Sequence, residues 1–120
     1  MNALKQVPQR GFMFGHHDAP IYGIGWEGEQ DRSDVKSVCG AYPAVMSFDL
    51  GGIELGSDQN LDKVSFDVIR KEVVKQYQRG GMSTFSWHVY NPLTGKDSWD
   101  VSNANTVTSV LPGGAEYSKF

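Results

Sequence analysis

The chain has 120 residues and a mass of 13.3 kDa, which is enough for one domain and excludes a second full domain. Hydrophobic residues make up 39% of it and charged residues 21%, a composition typical of a folded domain and not of a disordered segment. The net charge is -3 and no run of Lys or Arg is present, which argues against nucleic acids and anionic membrane surfaces as partners. We therefore predict one unit over residues 1–120, or part of a larger one.

Cysteine and hydropathy give no indication of a cellular compartment. Cys39 has no second cysteine with which to form an internal disulfide, and no Cys/His cluster of zinc-binding spacing surrounds it. The first eight residues lack the apolar stretch of a secretory signal, and no window approaches the roughly 18 apolar residues of a membrane span. The sequence thus predicts no membrane span and leaves the localisation open.

Three short apolar runs, each preceded by Gly or Pro, predict three β-strands. Their centres are roughly 33 and 39 residues apart, which is about the length of one strand, a helical crossover and the return to the sheet. We therefore predict an α/β fold with parallel strands in the order 1-2-3 and right-handed crossovers. The predicted strands are Phe12–Gly15, Ala44–Asp49 and Met82–His88.

The second crossover contains the clearest helix, Phe66–Arg79, because apolar residues recur there at helical spacing with polar residues between them. Ser65 is placed to cap its start and Gly80-Gly81 to end it. The first crossover predicts a shorter helix over Ser33–Val38, after a long Gly-rich loop. Two further helical segments are expected near the end of the chain, at Asn105–Leu111 and Ala115–Phe120.

Each predicted strand ends in, or is followed by, a polar side chain: His16, Asp49 and His88 in turn. In parallel α/β folds the C-terminal ends of the strands and the loops after them carry the site. Three polar groups on one rim therefore indicate a candidate site. The alternative is that each of them is a hydrogen-bonded structural group at a strand end.

Side chains alternate between the two faces of a strand, which divides the second and third strands into a polar and an apolar face. We expect the polar face to line a barrel interior or a cleft, and the apolar face to pack against helices. The polar set is Ser47, Asp49, Ser86 and His88, and the apolar set is Met46, Phe48, Phe85 and Trp87.

Two tryptophans lie in Gly- and Asp-containing loops, Trp26 in the first and Trp99 after the third strand. An indole on a loop above a cleft offers an apolar face and an N–H donor, which suits stacking against a sugar ring. The alternative for either is an anchor that pins its loop to the scaffold. We retain both interpretations for both residues.

The remaining motifs indicate neither a cofactor nor a metal site. No GxGxxG or GxxxxGK[ST] motif opens a helix, so the sequence does not predict nucleotide binding. His16 and His17 are adjacent to Asp18, but neighbouring histidines rarely converge on one ion and no third ligand is evident. The loop carboxylates Asp18, Glu54 and Asp100 are more typical of caps, turns or solvated charges than of catalysts.

The order of several short motifs carries a resemblance. They are Phe12-Met13-Phe14-Gly15-His16, Tyr22-Gly23-Ile24-Gly25-Trp26, Arg32-Ser33-Asp34-Val35-Lys36, Tyr42-Pro43-Ala44-Val45, Phe48-Asp49-Leu50-Gly51, Arg79-Gly80-Gly81, Ser86-Trp87-His88, Asn91-Pro92 and Leu111-Pro112-Gly113-Gly114. In this order they resemble glycoside hydrolase family 26, whose best-known members are endo-β-1,4-mannanases, and in particular the mannanases of gut Bacteroidetes. The resemblance runs over nearly the whole chain.

This resemblance implies a (β/α)₈ barrel and a retaining glycosidase, with an acid/base Glu and a nucleophilic Glu on the fourth and seventh strands. Both positions come after residue 120, and a barrel takes about 250 residues. We therefore expect the N-terminal part of such a catalytic domain, truncated at its C-terminal end, with about three βα units and no catalytic residue. The expected partner is a β-mannan type of polysaccharide, and members of the family are usually exported.

Residue by residue, the resemblance places His88 at a position lining the sugar site and Trp99 at a substrate-contacting loop tryptophan. His16 and Asp49 match positions near the barrel floor or mouth, and Trp26 completes the set of predicted substrate-binding residues. The alternatives are a small non-enzymatic α/β module that binds carbohydrate or a partner, and a different α/β fold. Because the outer strands have open edges, we also expect self-association.

Overall fold

The computed structural model describes residues 2–119. Its elements form an α/β arrangement in which helices and strands alternate. The helices are α1 (Asn2–Arg10), α2 (Asp34–Cys39), α3 (Phe66–Gln78) and α4 (Thr106–Val110), and the strands are β1 (Gly15–His17), β2 (Tyr22–Gly23), β3 (Trp26–Glu27), β4 (Val45–Asp49) and β5 (Met82–Ser86).

The main sheet has three strands in the order β1-β4-β5, and both pairings are parallel. This confirms the parallel 1-2-3 order predicted from the spacing of the apolar runs. In the register of the sheet, Val45 lies opposite Gly15 on one side and Met82 on the other. The short strands β2 and β3 form a separate antiparallel pair inside the loop that follows β1.

The predicted position of the first strand is wrong. The strand spans Gly15–His17, so it shares only Gly15 with the predicted Phe12–Gly15. Phe12 is 87% exposed, and the ladder begins only at Phe14, whose carbonyl accepts a hydrogen bond from the Val45 amide. The prediction relied on apolar side chains, but a strand is defined by backbone pairing. The residues that pair with β4 are Gly15, His16 and His17, which follow the apolar run.

The second strand lies where the sequence placed it, and the third ends two residues early, so that His88 follows β5. Helix α3 matches its prediction to within one residue, and the Ser65 hydroxyl caps it by accepting from the Asp67 amide. Helix α2 begins one residue later than predicted, because Ser33 is its cap and accepts from the Lys36 amide. Gly40 ends α2 in the left-handed conformation, with φ of 78°.

The hydrophobic core lies between the sheet and α3. Met46 and Phe48 of β4 are completely buried and pack in one cluster with Val64 and with Ile69 of α3. This confirms that the apolar face of β4 packs against a helix. Phe85 lies opposite Phe48 in the register, with ring centroids 6.3 Å apart, but it is half exposed because β5 is an edge strand of the described sheet.

The two ends of the chain differ more from expectation. Helix α1 was not predicted. Helix α4 lies within the predicted Asn105–Leu111, whereas the expected helix over Ala115–Phe120 is a single 3₁₀ turn at Tyr117–Lys119, with Phe120 outside the described residues. Among residues 2–119, none of the helices has the length and apolar character required to cross a bilayer.

Candidate functional site

Asp49 is the centre of a polar cluster at the C-terminal end of the sheet. Its side chain is buried, with the residue 1% exposed, and its Oδ2 accepts a hydrogen bond of 2.6 Å from the Ser86 hydroxyl. The same oxygen lies 2.6 Å from His88 Nδ1, and Oδ1 accepts from the Gly51 amide at 2.7 Å. The register explains the cluster, because it places Ser86 directly opposite Asp49, and His88 lies on the same face two residues later.

The electrostatics of Asp49 favour its ionised form. Burial by itself raises the pKa of the carboxyl, but hydrogen bonds from Ser86, Gly51 and His88 act together in the other direction and leave the pKa of Asp49 below its usual value. An ionised carboxylate only accepts hydrogen bonds, so the proton between Asp49 and His88 is on Nδ1. The imidazole ring of His88 is therefore held in one orientation, with Nδ1 turned toward Asp49.

A glycine is needed beside this cluster. A Cβ at Gly51 would lie 2.8 Å from Asp49 Oδ1 and 2.8 Å from the His88 carbonyl oxygen. The chain therefore passes between the strand end and the loop after β5 with no room for a side chain. This close approach brings the Gly51 amide within hydrogen-bonding distance of Asp49.

Trp99 stacks on His88. The two ring centroids are 5.4 Å apart and the planes differ by 3°, which is an offset parallel stack. Trp99 remains 69% exposed, so most of the indole surface faces solvent. The exposed side of the Trp99 ring is a flat apolar surface beside polar groups, and Asp49 fixes the His88 ring on which Trp99 stacks. We call Asp49, Ser86, His88 and Trp99 the Asp49 cluster.

The loop that carries Trp99 is braced by Asn91. The buried side-chain amide of Asn91 donates to the carbonyl of Asp100 at 3.0 Å and to the Thr106 hydroxyl at 3.1 Å. The Thr94 hydroxyl donates to the Asp100 carboxylate, and hydrogen bonds from Thr94 and Ser102 lower the pKa of Asp100 to about 2. Asp100 is thus a structural carboxylate of the loop, which is one of the roles the sequence predicted for it.

Glu54 braces a second loop against the same end of the sheet. Its Oε1 accepts from the Tyr90 amide at 2.7 Å, and its Oε2 accepts from Trp87 Nε1 at 3.0 Å. Burial raises the pKa of Glu54, but these bonds and others from the backbone outweigh it and leave the pKa below its usual value. Glu54 therefore joins the loop after β4 to the loop after β5 as an ionised brace.

His16 lies apart from the Asp49 cluster. It is the middle residue of β1 and is opposite Met46 in the register, so its side chain is on the face of the sheet that carries Met46 and Phe48. The prediction that His16 follows the first strand and lies on the same rim as Asp49 is therefore wrong. Because the strand lies further along the chain than predicted, His17 is the residue that shares a face with Ser47.

Trp26 lies in the separate β2–β3 hairpin, and its contacts support the anchoring alternative. It is 6% exposed, its Nε1 donates to Asp34 Oδ1 at 2.6 Å, and the Arg32 guanidinium covers its ring at 5.1 Å. The Trp26 hydrogen bond, followed by one from the Ile24 amide, lowers the pKa of Asp34. Trp26 thus pins the β2–β3 hairpin to the start of α2.

Sequence reasoning does not single out Asn91 or Gly51 as positioning residues. Asn91-Pro92 contributes only to a motif, and an Asn before Pro is an ordinary turn signal. Nothing in the local sequence shows that its amide reaches residues 100 and 106. Gly51-Gly52 does not match a phosphate loop, and its role becomes visible only when β4 and the loop after β5 are both in place.

Comparison with known proteins gives a consistent result. The model of glycosyl hydrolase family 26 matches residues 1–115. A GH26 β-mannanase structure from Bacteroides ovatus is 61% identical, with a TM-score of 0.94, over 98% of this chain and 34% of that chain. A modular endo-β-1,4-mannanase from Cellulomonas fimi is 28% identical, with a TM-score of 0.74, over 98% of this chain and 27% of that one.

A third structure, GH26C from a Muricauda species, is 25% identical, with a TM-score of 0.75, over 98% of this chain and 33% of that chain. This chain thus spans about a third or less of the length of the solved structures it resembles. A comparison with curated proteins gave no match. The family model covers nearly all of the sequence, and each of these three structures matches 98% of this chain. The chain therefore belongs to glycosyl hydrolase family 26, and its sheet is part of that family's (β/α)₈ barrel.

Proposed function

We propose that this chain is part of the catalytic domain of a retaining β-mannanase and supplies part of the cleft that binds a β-mannan type of polysaccharide. The observation that carries the proposal is the exposed Trp99 ring stacked on His88. Asp49 fixes the orientation of His88 from the end of β4. A flat apolar surface beside polar groups is suited to a sugar ring, which has an apolar face and a rim of hydroxyl groups.

We propose Trp99 and His88 as the residues that touch sugar, with Asp49 as a positioning residue that acts through His88. His16 and Trp26 are not included in the proposed surface. The first lies on the opposite face of the sheet, and the second is buried against Asp34. The 61% identity to the GH26 β-mannanase of Bacteroides ovatus supports the choice of mannan over other polysaccharides.

We further propose that no residue of this chain is a catalytic carboxylate. Retaining cleavage requires two carboxyl groups about 5–5.5 Å apart on opposite sides of the scissile bond. Of the five glutamates in the sequence, Glu54 is used as a loop brace and Glu72, on α3, is paired with Lys75. Glu29 and Glu116 are paired in the same way with Arg32 and Lys119. Glu27 is on the short strand β3, which belongs to the separate two-stranded sheet and not to the sheet that carries the Asp49 cluster.

The test is to measure binding and hydrolysis on the same purified chain. We expect titration with manno-oligosaccharides to show weak binding, and a reducing-sugar assay on β-mannan to show no turnover. Trp99→Ala removes the exposed ring and should weaken binding about fivefold, which corresponds to ~1 kcal/mol for one aromatic contact. Tyr77→Ala is the matched control, because Tyr77 is an 81% exposed aromatic residue on α3.

Equal affinities for Trp99→Ala and the unsubstituted chain would contradict the proposed sugar surface. Turnover that is lost in Glu54→Gln would instead place a catalytic carboxylate inside this chain. Binding of cello-oligosaccharides at least as tight as that of manno-oligosaccharides would argue against mannan as the ligand. Sugar binding by this chain, combined with no glycosidase activity in a longer protein that contains it, would favour the alternative of a non-enzymatic carbohydrate-binding module.

The open edges of the sheet support a proposal about self-association. β1 and β5 each pair with β4 on one side, and the described residues provide no strand for their other sides. Phe85 and Trp87, on and beside the β5 edge, are about half exposed. Unpaired edges of this kind are templates for pairing with another chain. We propose that the isolated chain associates with itself through them.

A further inference from the structure

Three potential metal ligands converge beside β1. His17 ends β1, Asp18 follows it, and Asp62 belongs to the loop between β4 and α3. Each of the three offers one ligand atom, and these atoms all lie within 4.8 Å of one another. In the sequence, His16, His17 and Asp18 are adjacent, but neighbouring histidines rarely bind the same ion. One histidine and Asp18 leave a third ligand missing, so the sequence does not predict a metal site. The fold turns His16 to the other face and supplies Asp62 instead.

The carboxylate of Asp18 carries the second observation. The residue is completely buried, and its Oδ2 accepts from the Tyr22 hydroxyl at 3.1 Å and lies 3.3 Å from His17 Nε2. Its other oxygen, Oδ1, is buried with no hydrogen-bond partner among the described residues. A buried carboxylate oxygen without a donor is costly, and proteins compensate such groups with a partner charge or a metal ion.

Two carboxylates lie close together at this site. Asp62 is a second acidic group beside Asp18, and the Tyr22 hydroxyl donates to Oδ2 of Asp18. A cation placed between the two carboxylates would offset their mutual repulsion.

The loop that carries Asp62 is held in place. Asn60 is buried, and its Oδ1 accepts from the amides of Asp62 and Val64 at 3.0 Å each. Its Nδ2 donates to the carbonyl of Asp49 at 3.1 Å, which ties the loop to the end of β4. Asp62 is therefore positioned by contacts that do not depend on a ligand, while its side chain and that of His17 reach solvent.

We propose that His17, Asp18 and Asp62 bind one divalent transition-metal ion, with Zn²⁺ as the best fit. One imidazole nitrogen and two carboxylate oxygens are a donor set that suits borderline metals such as Zn²⁺ better than Ca²⁺ or Mg²⁺, which take oxygen ligands. Solvent on the side of His17 and Asp62 provides the entry path and the remaining ligand as water. The site shares no residue with the Asp49 cluster. The ion would have a structural role, because it would link β1 to the loop before α3.

The test is titration of the chelator-treated, full 120-residue chain with ZnCl₂, followed by calorimetry and by equilibrium dialysis with metal analysis. A Cys39→Ser background removes the exposed thiol as a competing ligand. We expect one bound Zn²⁺ per chain and an increase in melting temperature. Asp62→Asn, an exposed substitution, should reduce the affinity at least tenfold. Asp58→Asn, an exposed carboxylate of the same loop, is the matched control and should bind as the background does.

Two results would overturn the proposal. One is the absence of saturable binding of Zn²⁺ to the background chain. The other is equal affinity in the Asp62→Asn variant, which would locate the ion elsewhere. Circular dichroism of Asp62→Asn establishes that the comparison is made between folded chains. None of these measurements depends on sugar binding, so they stand apart from the tests of the proposed function.

Discussion

Replacement of Asp49 by Asn tests whether one buried carboxylate organises the end of the sheet. The carboxamide keeps one oxygen for the Gly51 amide but presents an NH₂ group where Oδ2 accepts from Ser86 and His88, each at 2.6 Å. Ser86 must then reorient its hydroxyl to accept, and His88 must accept at Nδ1 with its proton on Nε2. Hydrogen bonds to a charged group are worth about 1.5–3 kcal/mol and neutral ones about 0.5–1.5 kcal/mol, so two bonds lose ~2 to 3 kcal/mol together.

The pH dependence distinguishes this effect from simple loss of packing. The pKa of Asp49 is lowered from 3.8 in the folded chain, so the carboxylate stabilises the fold above that value. This contribution is lost as the pH falls through the lower, folded pKa. The difference in free energy of unfolding between the unsubstituted chain and Asp49→Asn should therefore be largest near pH 7 and shrink at pH values below about 3.8.

The measurement is urea unfolding followed by tryptophan fluorescence from pH 7 down to the lowest pH at which the unsubstituted chain still folds. Asp58→Asn is the control, since it changes the same charge at an exposed position and should alter stability by less than about 0.5 kcal/mol. Two results would refute the reasoning: a loss below about 0.5 kcal/mol in Asp49→Asn at pH 7, or a larger loss that does not change with pH.

Two further predictions concern the core and the edges of the sheet. Phe48→Ala should reduce the free energy of unfolding by about 3–5 kcal/mol, because Phe48 is fully buried between β4 and α3. Phe12→Ala, at an 87% exposed phenylalanine, should change the free energy of unfolding by less than about 0.5 kcal/mol. Equal losses in the two variants would show that Phe48 is not a core residue. Sedimentation velocity should show concentration-dependent association of the chain, and Phe85→Lys on the β5 edge should reduce this association. A monomer at all concentrations would exclude pairing through the edges.

Local sequence was sufficient for the elements whose residues carry their own signals. Helix α3 has its cap, its apolar stripe and its glycine stop within sixteen residues, Ser65 to Gly80, so its bounds follow from short-range chemistry. The spacing of the apolar runs also determined the parallel order of the strands. Alternation along β4 and β5 then placed Asp49, Ser86 and His88 on one face, because side-chain direction in a strand has a period of two residues.

Tertiary structure decided the features that depend on contacts between distant segments. Trp26 and Trp99 both lie in predicted loops, and the sequence leaves the same two interpretations open for each. Trp26 is buried and donates its N–H to Asp34 on α2, whereas Trp99 is exposed and stacks on His88. The register of β1 against β4 is set by backbone pairing, which the apolar run before Gly15 does not reveal. A shift of one residue in the register of a strand moves each of its side chains to the other face. That register, together with the loop held by Asn60, is what brings His17, Asp18 and Asp62 together across more than forty residues of sequence.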